Sequence, residues 1–241
     1  PMQNYLQLTT FEPNGSTFRN IDETRILQTD DHWFRPVDIT TGPDGAVYIA
    51  DWYDSRLSHV DPRDTWSKGT GRILRLRNKN NPAVQPFNVG AYSSEDLIQL
   101  LSNPNRWLRQ QALLEFGNRN DRSVVPRLKD LFAIESGQTA LETFWAIALS
   151  GGFTDDVAIA GIHHKDPFVR MWAVRLLGDG NAVSALAGSE LIELAYIEPH
   201  TEVRSQLAAT AKRLPGKVAI PIIKNLLKGH KDVDDPDIPL Q

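Results

Sequence analysis

Asp-Pro-Phe-Val-Arg-Met-Trp-Ala-Val-Arg-Leu-Leu, residues 166–177, reads as the start of a helix and decides the fold. Asp166 offers a side-chain acceptor to the unbonded N–H groups of a first turn, and Pro167 stands where a missing N–H costs nothing. Behind that start, Val169, Trp172, Ala173, Leu176 and Leu177 share one face at helical spacing. The stripe returns in Val124, Val125, Leu128, Leu131 and Phe132, and again in Ala219, Ile222, Ile223, Leu226 and Leu227. The start returns too. Asn103-Pro104 precedes Leu108-Arg109-Gln110-Gln111-Ala112, and Glu198-Pro199, a weaker version, precedes Val203-Arg204-Ser205-Gln206-Leu207. Aligning Ala112, Ala146, Ala173 and Leu207 gives spacings of 34, 27 and 34 residues, room for two short antiparallel helices per repeat. One pair cannot bury its apolar stripe alone, whereas stacked pairs can, so the pattern predicts a right-handed α-solenoid. The second repeat departs from the rule, with Glu142-Thr143 where Val-Arg is expected.

Upstream the period is two. Leu6 and Leu8, Val37 and Ile39, residues 46–50 and residues 73–76 are short β-rich runs. Between them, Glu12-Pro13-Asn14-Gly15 and Gly42-Pro43-Asp44-Gly45 carry the Asn-Gly and Asp-Gly steps of tight hairpins. Residues 54–70 read as a long loop. The organisation expected is a β segment over 1–77, a linker over 78–92 and a helical array over 93–241. The last repeat reads as truncated: its first helix ends near Lys228, and residues 232–241 hold Asp-Asp-Pro and Ile-Pro-Leu instead of a partner helix. A strand pattern that begins directly after Pro1 carries the same expectation, a piece of something longer.

Composition narrows the function. The 241 residues are 41% hydrophobic and 23% charged, ordinary for a globular protein. A net charge of −4 with scattered Lys and Arg argues against nucleic acid as a partner. No cysteine is present, which excludes disulfides, thiolate metal sites and thioether-linked haem in these residues. No apolar run approaches the ~18 residues of a membrane span, so direct insertion is not expected.

The helical repeats resemble the HEAT family, in which an Asp-Pro start followed by Val-Arg recurs. Residues 33–39 (Trp-Phe-Arg-Pro-Val-Asp-Ile), 42–53 (Gly-Pro-Asp-Gly-Ala-Val-Tyr-Ile-Ala-Asp-Trp-Tyr) and 71–76 (Gly-Arg-Ile-Leu-Arg-Leu) look like the closing blade of a six-bladed β-propeller. That blade is similar to those of the glucose/sorbosone dehydrogenase-like group. The order propeller, linker, HEAT repeats is similar to the large putative membrane-bound dehydrogenases of planctomycete and verrucomicrobial bacteria. The fold class expected is thus mostly α, a HEAT-like α-solenoid preceded by a small antiparallel β segment resembling the last blade or blades of a propeller. The resemblance implies a periplasmic or cell-envelope location and, as partners, the remaining blades and a cytochrome c domain. It also implies pyrroloquinoline quinone with calcium in the parent propeller, and haem c in a following domain. No cofactor is expected within these 241 residues themselves.

Arg35, Asp38, Asp51, His59, Asp61 and Asp64 form the densest polar constellation. The resemblance implies that Arg35 and Asp38 face a bound cofactor or sugar, with Asp51 either beside them or capping a loop. Arg35 reads equally as a salt bridge between blades. His59, Asp61 and Asp64 present an oxygen-rich set suited to calcium, or else solvated carboxylates. In the helical half, His163-His164 is a tempting metal pair, but adjacent side chains diverge. Trp107, Trp145 and Trp172 read as filler between repeats, and Arg109, Arg170 and Arg204 as a ladder to neighbouring turns or acidic residues. No phosphate loop, nucleophile elbow or metalloprotease helix occurs. Two functions follow: part of a quinoprotein-like sugar or alcohol dehydrogenase with the solenoid as scaffold, inert alone, or a non-enzymatic module whose solenoid surface binds a protein.

Overall fold

The computed structural model describes residues 4–56, 60–80 and 84–229. By its contacts the protein divides into two units. One is drawn from Pro1–Glu12, Asn20–Asn88 and Pro104–Leu108, the other from Pro13–Arg19, Val89–Asn103 and Arg109–Gln241. The expected linker is therefore shared, most of it falling in the first unit and residues 89–92 in the second.

The strands form two antiparallel sheets and fall in the first unit except for residues 13–19 of the hairpin, which the division gives to the second. β1 (Tyr5–Asn14) and β2 (Thr17–Gln28) form a two-stranded hairpin; β3 (Pro36–Thr41), β4 (Val47–Asp51) and β5 (Arg72–Leu76) form a three-stranded sheet in sequence order. In that register Ile39 faces Ile49 and Ile49 faces Leu74. Ile49 is buried with Phe34 and Leu6, while Leu27, Val47 and Leu74 pack around them. The turns form as their chemistry demands, but the glycines alone take the positive φ angles, Gly15 at 64° and Gly45 at 71°. Gly42 N–H bonds Ala46 O at 2.8 Å and Gly45 N–H bonds Gly42 O at 3.0 Å, a three-residue hairpin loop closed by a left-handed glycine.

The second unit is otherwise helical, though residues 106–108 of its second helix fall in the first. Its helices are α1 (Ser94–Leu100), α2 (Arg106–Arg119), α3 (Val125–Ile134), α4 (Gly137–Leu149), α5 (Asp155–Ile162), α6 (Pro167–Asp179), α7 (Ala185–Ile197), α8 (Thr201–Ala211) and α9 (Gly216–Gly229). They form two layers: α5 packs on α7 and α7 on α9, α4 packs on α6 and α6 on α8, and α3–α4, α5–α6 and α8–α9 join the layers. This is an α-solenoid, and the fold is mostly α behind a small antiparallel β segment. The four aligned positions Ala112, Ala146, Ala173 and Leu207 lie on α2, α4, α6 and α8, and each is wholly buried. One small or aliphatic residue per repeat thus marks where successive layers touch.

The helix starts hold in part. Asp166 caps α6 as expected, its Oδ1 accepting from Phe168 N–H at 2.8 Å with Pro167 at the first position. α2 begins later than Asn103-Pro104 suggests, because Asn105 supplies the cap, its Oδ1 accepting from Trp107 N–H at 2.9 Å. α8 begins at Thr201 rather than at Glu198-Pro199, with His200 as the preceding residue. Ser93 opens the array with a reciprocal capping box to Asp96. The reading of residues 232–241 lies outside the described residues. No helix among the described residues is long and apolar enough to cross a membrane.

Candidate functional site

Asp51 ends the central strand of the three-stranded sheet, and the backbone turns there through Tyr53, whose φ of 45° is rare for a residue that bears a side group. Asp51 holds that turn. Its Oδ1 accepts from the backbone N–H of Arg35 at 2.7 Å and of Tyr53 at 3.1 Å, and its Oδ2 accepts from Arg72 Nε at 2.7 Å. That bond to Asp51 raises the Arg72 pKa, with a further contribution from Asp31. Arg72 also lies 3.8 Å over the Tyr53 ring, and Trp33 stands 5.6 Å from that ring. A shallow cleft of about 340 Å³ opens beside this cluster, lined by Val37, Ala50, Asp51, Trp52, Arg72 and Ile73 among others.

The loop that follows is fastened from within. Asp54 is wholly buried, its Oδ1 accepting from Arg56 N–H at 2.8 Å and its Oδ2 from Ser67 N–H at 2.8 Å. The Arg56 hydrogen bond is the main reason its carboxyl lies below the usual range, against the opposing effect of burial. Arg56 also donates to Arg63 O and Asp61 O and rests 4.3 Å over Trp66, which meets Trp52 edge to face at 6.0 Å. Asp54 and Arg56 thus organise the segment from Asp61 to Ser67. Sequence reasoning missed both; the Asp-x-Arg step beside a Trp was the available signal.

The predicted site residues separate. Asp51 acts as the structural cap just described. Arg35 is buried, with Nη1 donating to Phe34 O at 3.0 Å and Nε without a partner among the described residues. Asp38 is exposed and its Oδ1 accepts from Ile39 N–H at 2.8 Å. Asp61 pairs with Arg63 at 2.6 Å and Asp64 with Lys68 at 2.5 Å, and each cation lowers the pKa of its carboxyl. His59 lies outside the described residues. No group of three or more His, Cys, Asp and Glu converges among the described residues. Among the described residues the donors do not converge on one point, and Asp61 and Asp64 each pair with a cation of their own, so these residues alone do not fit calcium. Nor do the residues present fit an anionic quinone, because Arg35 is buried while Asp38 faces solvent. No chemical step is derived through either group.

The helical array carries the other polar system, and here the expected arginine ladder forms. Arg109 Nη1 donates to Asn103 O at 2.7 Å, Arg170 Nη1 to His164 O at 2.9 Å and Arg204 Nη1 to Glu198 O at 3.2 Å. Each carbonyl lies six residues upstream of its arginine. Each arginine of the first two then reaches a carboxylate of a later repeat: Arg109 Nε meets Glu142 Oε1 at 2.9 Å, and Arg170 meets both oxygens of Glu198 at 2.7 Å. The departure at Glu142 is thereby explained, since the residue standing near the expected arginine position is the acceptor for the preceding one. Glu198, read as a weak cap, is instead a bidentate partner 1% exposed.

The layer of α3, α5, α7 and α9 has its own cross-links. Lys129 on α3 pairs with Asp156 on α5 at 2.7 Å, His163 after α5 meets Glu190 on α7 at 2.8 Å, and Asn225 on α9 donates to Ile192 O on α7 at 2.8 Å. Lys129, together with the Thr154 hydroxyl, holds the Asp156 carboxyl at about 2. His163 and His164 diverge. The His164 ring stacks on Phe132 at 5.2 Å and its Nδ1 accepts from Asp166 N–H at 3.0 Å; burial is the main cause of its lowered pKa. Of the three tryptophans, Trp145 and Trp172 meet edge to face at 4.9 Å between repeats, whereas Trp107 packs on Phe87 at 6.0 Å.

In comparisons with known proteins, a family model described as a domain of unknown function (DUF7133) matches residues 1–80. A search of curated proteins finds no significant match.

Proposed function

We propose that this protein is a scaffold with no catalysis of its own: a HEAT-like array that presents a β unit belonging to a larger propeller of the quinoprotein sugar or alcohol dehydrogenase kind. The observation that carries the scaffold reading is how the polar residues are used. In the β unit the carboxylates of Asp44, Asp51, Asp54, Asp61 and Asp64 each bond to the protein's own N–H or cationic groups. In the array, charged residues link one repeat to the next. Among the described residues this arrangement provides no nucleophile with a base beside it, and no acid–base pair around a cleft.

The propeller part of the proposal rests on the resemblance of residues 33–76 and on exposed apolar residues of the sheet's edge strands. Val37 (49% exposed), Ile39 (54%) and Ile73 (68%) lie on the edge strands β3 and β5. Apolar edge positions of this kind suit burial against a neighbouring sheet. A second reading, an interaction module, draws on Ile220, Ile223 and Leu227, which recur on one exposed side of α9.

The test is a dye-linked oxidation assay on the purified protein with pyrroloquinoline quinone, calcium and a panel of sugars and alcohols, alongside calorimetric titration of the quinone. The scaffold reading expects no dye reduction and no saturable heat. Turnover above the quinone-free background would overturn it.

A further inference from the structure

Thirteen asparagines occur in the sequence, and Asn14 is the one followed by glycine. We propose that Asn14-Gly15 is a site of spontaneous covalent modification, in which the Asn14 amide is converted to a mixture of aspartate and isoaspartate. The reaction needs no enzyme and takes water as its co-reactant. The Gly15 backbone nitrogen, its proton taken by solvent base, attacks Asn14 Cγ. A nitrogen–Cγ bond forms, the Cγ–Nδ2 bond breaks, and Nδ2 leaves as ammonia with a proton from solvent. Water then opens the five-membered imide at either carbonyl, giving aspartate if the Cγ–N bond breaks and isoaspartate if the original peptide bond breaks. Nothing is oxidised or reduced.

Three observations select this residue. The attacking nitrogen belongs to a residue without a Cβ, so nothing shields it; Asn20, Asn88, Asn118 and Asn225 precede Ile, Val, Arg and Leu, and Asn81 and Asn103 precede prolines that have no N–H to give up. Asn14 and Gly15 are both exposed at the tip of the hairpin, so base and water reach them. The Asn14 amide group has no hydrogen bond among the described residues, whereas Asn4, Asn105, Asn118 and Asn225 donate through theirs.

The protein supplies its own comparison in two Asp-Gly steps, which form the same imide with loss of water. Asp44 before Gly45 is bonded to Ala46 N–H and paired with Arg75, and its carboxylate arm is 6% exposed. Asp179 before Gly180 ends α6 and pairs with Arg213 at 2.5 Å. Helical hydrogen bonding and a bonded carboxylate both keep the backbone nitrogen and the carboxyl carbon apart. Structure therefore protects two of the three glycine steps and leaves Asn14 open.

The consequence is local. Isoaspartate routes the backbone through Cβ and Cγ and so adds a backbone atom at the end of β1. The two-residue turn of Gly15 and Ser16 depends on φ of 64° at Gly15, and the inserted atom removes the strand register it sets. Either product also places a new negative charge at the tip.

The test is peptide mapping by mass spectrometry of the full folded protein incubated in mildly alkaline buffer at physiological temperature, with oxygen-labelled water to mark the new acid. The result expected is label at Asn14 ahead of all other asparagines, isoaspartate exceeding aspartate, and complete loss of the reaction at that position in Asn14→Gln. The Gly15→Val variant, which keeps the amide but shields the nitrogen, converts more slowly even if its turn is distorted. The same incubation in denaturant adds isomerisation at Asp44, absent from the folded protein. Conversion of Asn14 no faster than that of Asn20 or Asn88 in the folded protein would overturn the proposal.

Discussion

Glu198 accepts both ends of the Arg170 guanidinium while 1% exposed, and it also takes the N–H of His200 at 2.8 Å. Removing one member of such a pair leaves the other charged and out of water, so Glu198→Ala should lower the unfolding free energy by about 3 kcal/mol, read by urea denaturation. Replacing both residues with apolar groups of like volume, Arg170→Met with Glu198→Leu, should recover most of that loss. Equal losses in the single and double variants would mean that the pair is not what Glu198 contributes. The exposed counterpart is weaker. Asp156 has its carboxyl lowered to about 2 by Lys129 and Thr154, from an ordinary value of 3.8. A lowered carboxyl stabilises the fold above its ordinary pKa and loses that contribution as pH falls towards 2. Its carboxylate arm is 70% exposed, so solvent screening leaves about 0.5 kcal/mol. Asp156→Asn should cost that much at neutral pH, and melting curves of variant and parent should converge near pH 2. The arginines of these pairs were legible because they recur at a fixed place in each repeat. Their acceptors were not, since Glu142 and Glu198 follow their arginines by 33 and 28 residues and only packing sets which turn lies opposite.

At the scale of the element, close approach decides where α4, α5 and α6 meet. A Cβ built on Gly161 of α5 would lie 2.8 Å from Ala173 Cβ on α6 and 2.8 Å from the Phe144 ring on α4. Gly161→Ala gains about 1 kcal/mol in helix propensity but must displace two buried neighbours, an overpacking cost of about 1–3 kcal/mol. A drop in Tm is expected, and a rise would show that the contact yields more easily than the geometry implies. The apolar stripes predict the helices, because a 3.6-residue period over ten or more positions has few other causes, but on α9 the buried face is narrower than the stripe: Ala219, Ile222 and Leu226 are buried while Ile223 and Leu227 face solvent. Helix beginnings were less legible. Asn105 and Asn103 are chemically equal capping candidates two residues apart, and only the folded backbone shows that Asn105 is the one whose Oδ1 accepts from Trp107 N–H. In the β unit the strands followed from alternation and the turns from glycine. The internal use of Asp51 and Asp54 did not, because a carboxylate that fastens a loop and one that meets a ligand look alike until the N–H groups around them are placed.

Over the helical unit as a whole, repeats that touch mainly their neighbours make stability a sum of joints, and the joint between α5–α6 and α7–α8 is fastened in both layers, by His163 to Glu190 and by Arg170 to Glu198. The arginine fastening has a polarity. Arg109 and Arg170 lean forward in sequence to a carboxylate supplied by later residues, and backward to a carbonyl six residues earlier. A protein engineer severing this array therefore meets different wounds on its two sides. A cut just before Glu198 leaves a guanidinium looking for an anion, whereas a cut after Arg109 leaves the Glu142 carboxylate looking for a cation. Grafted caps for the two stumps would need opposite charge.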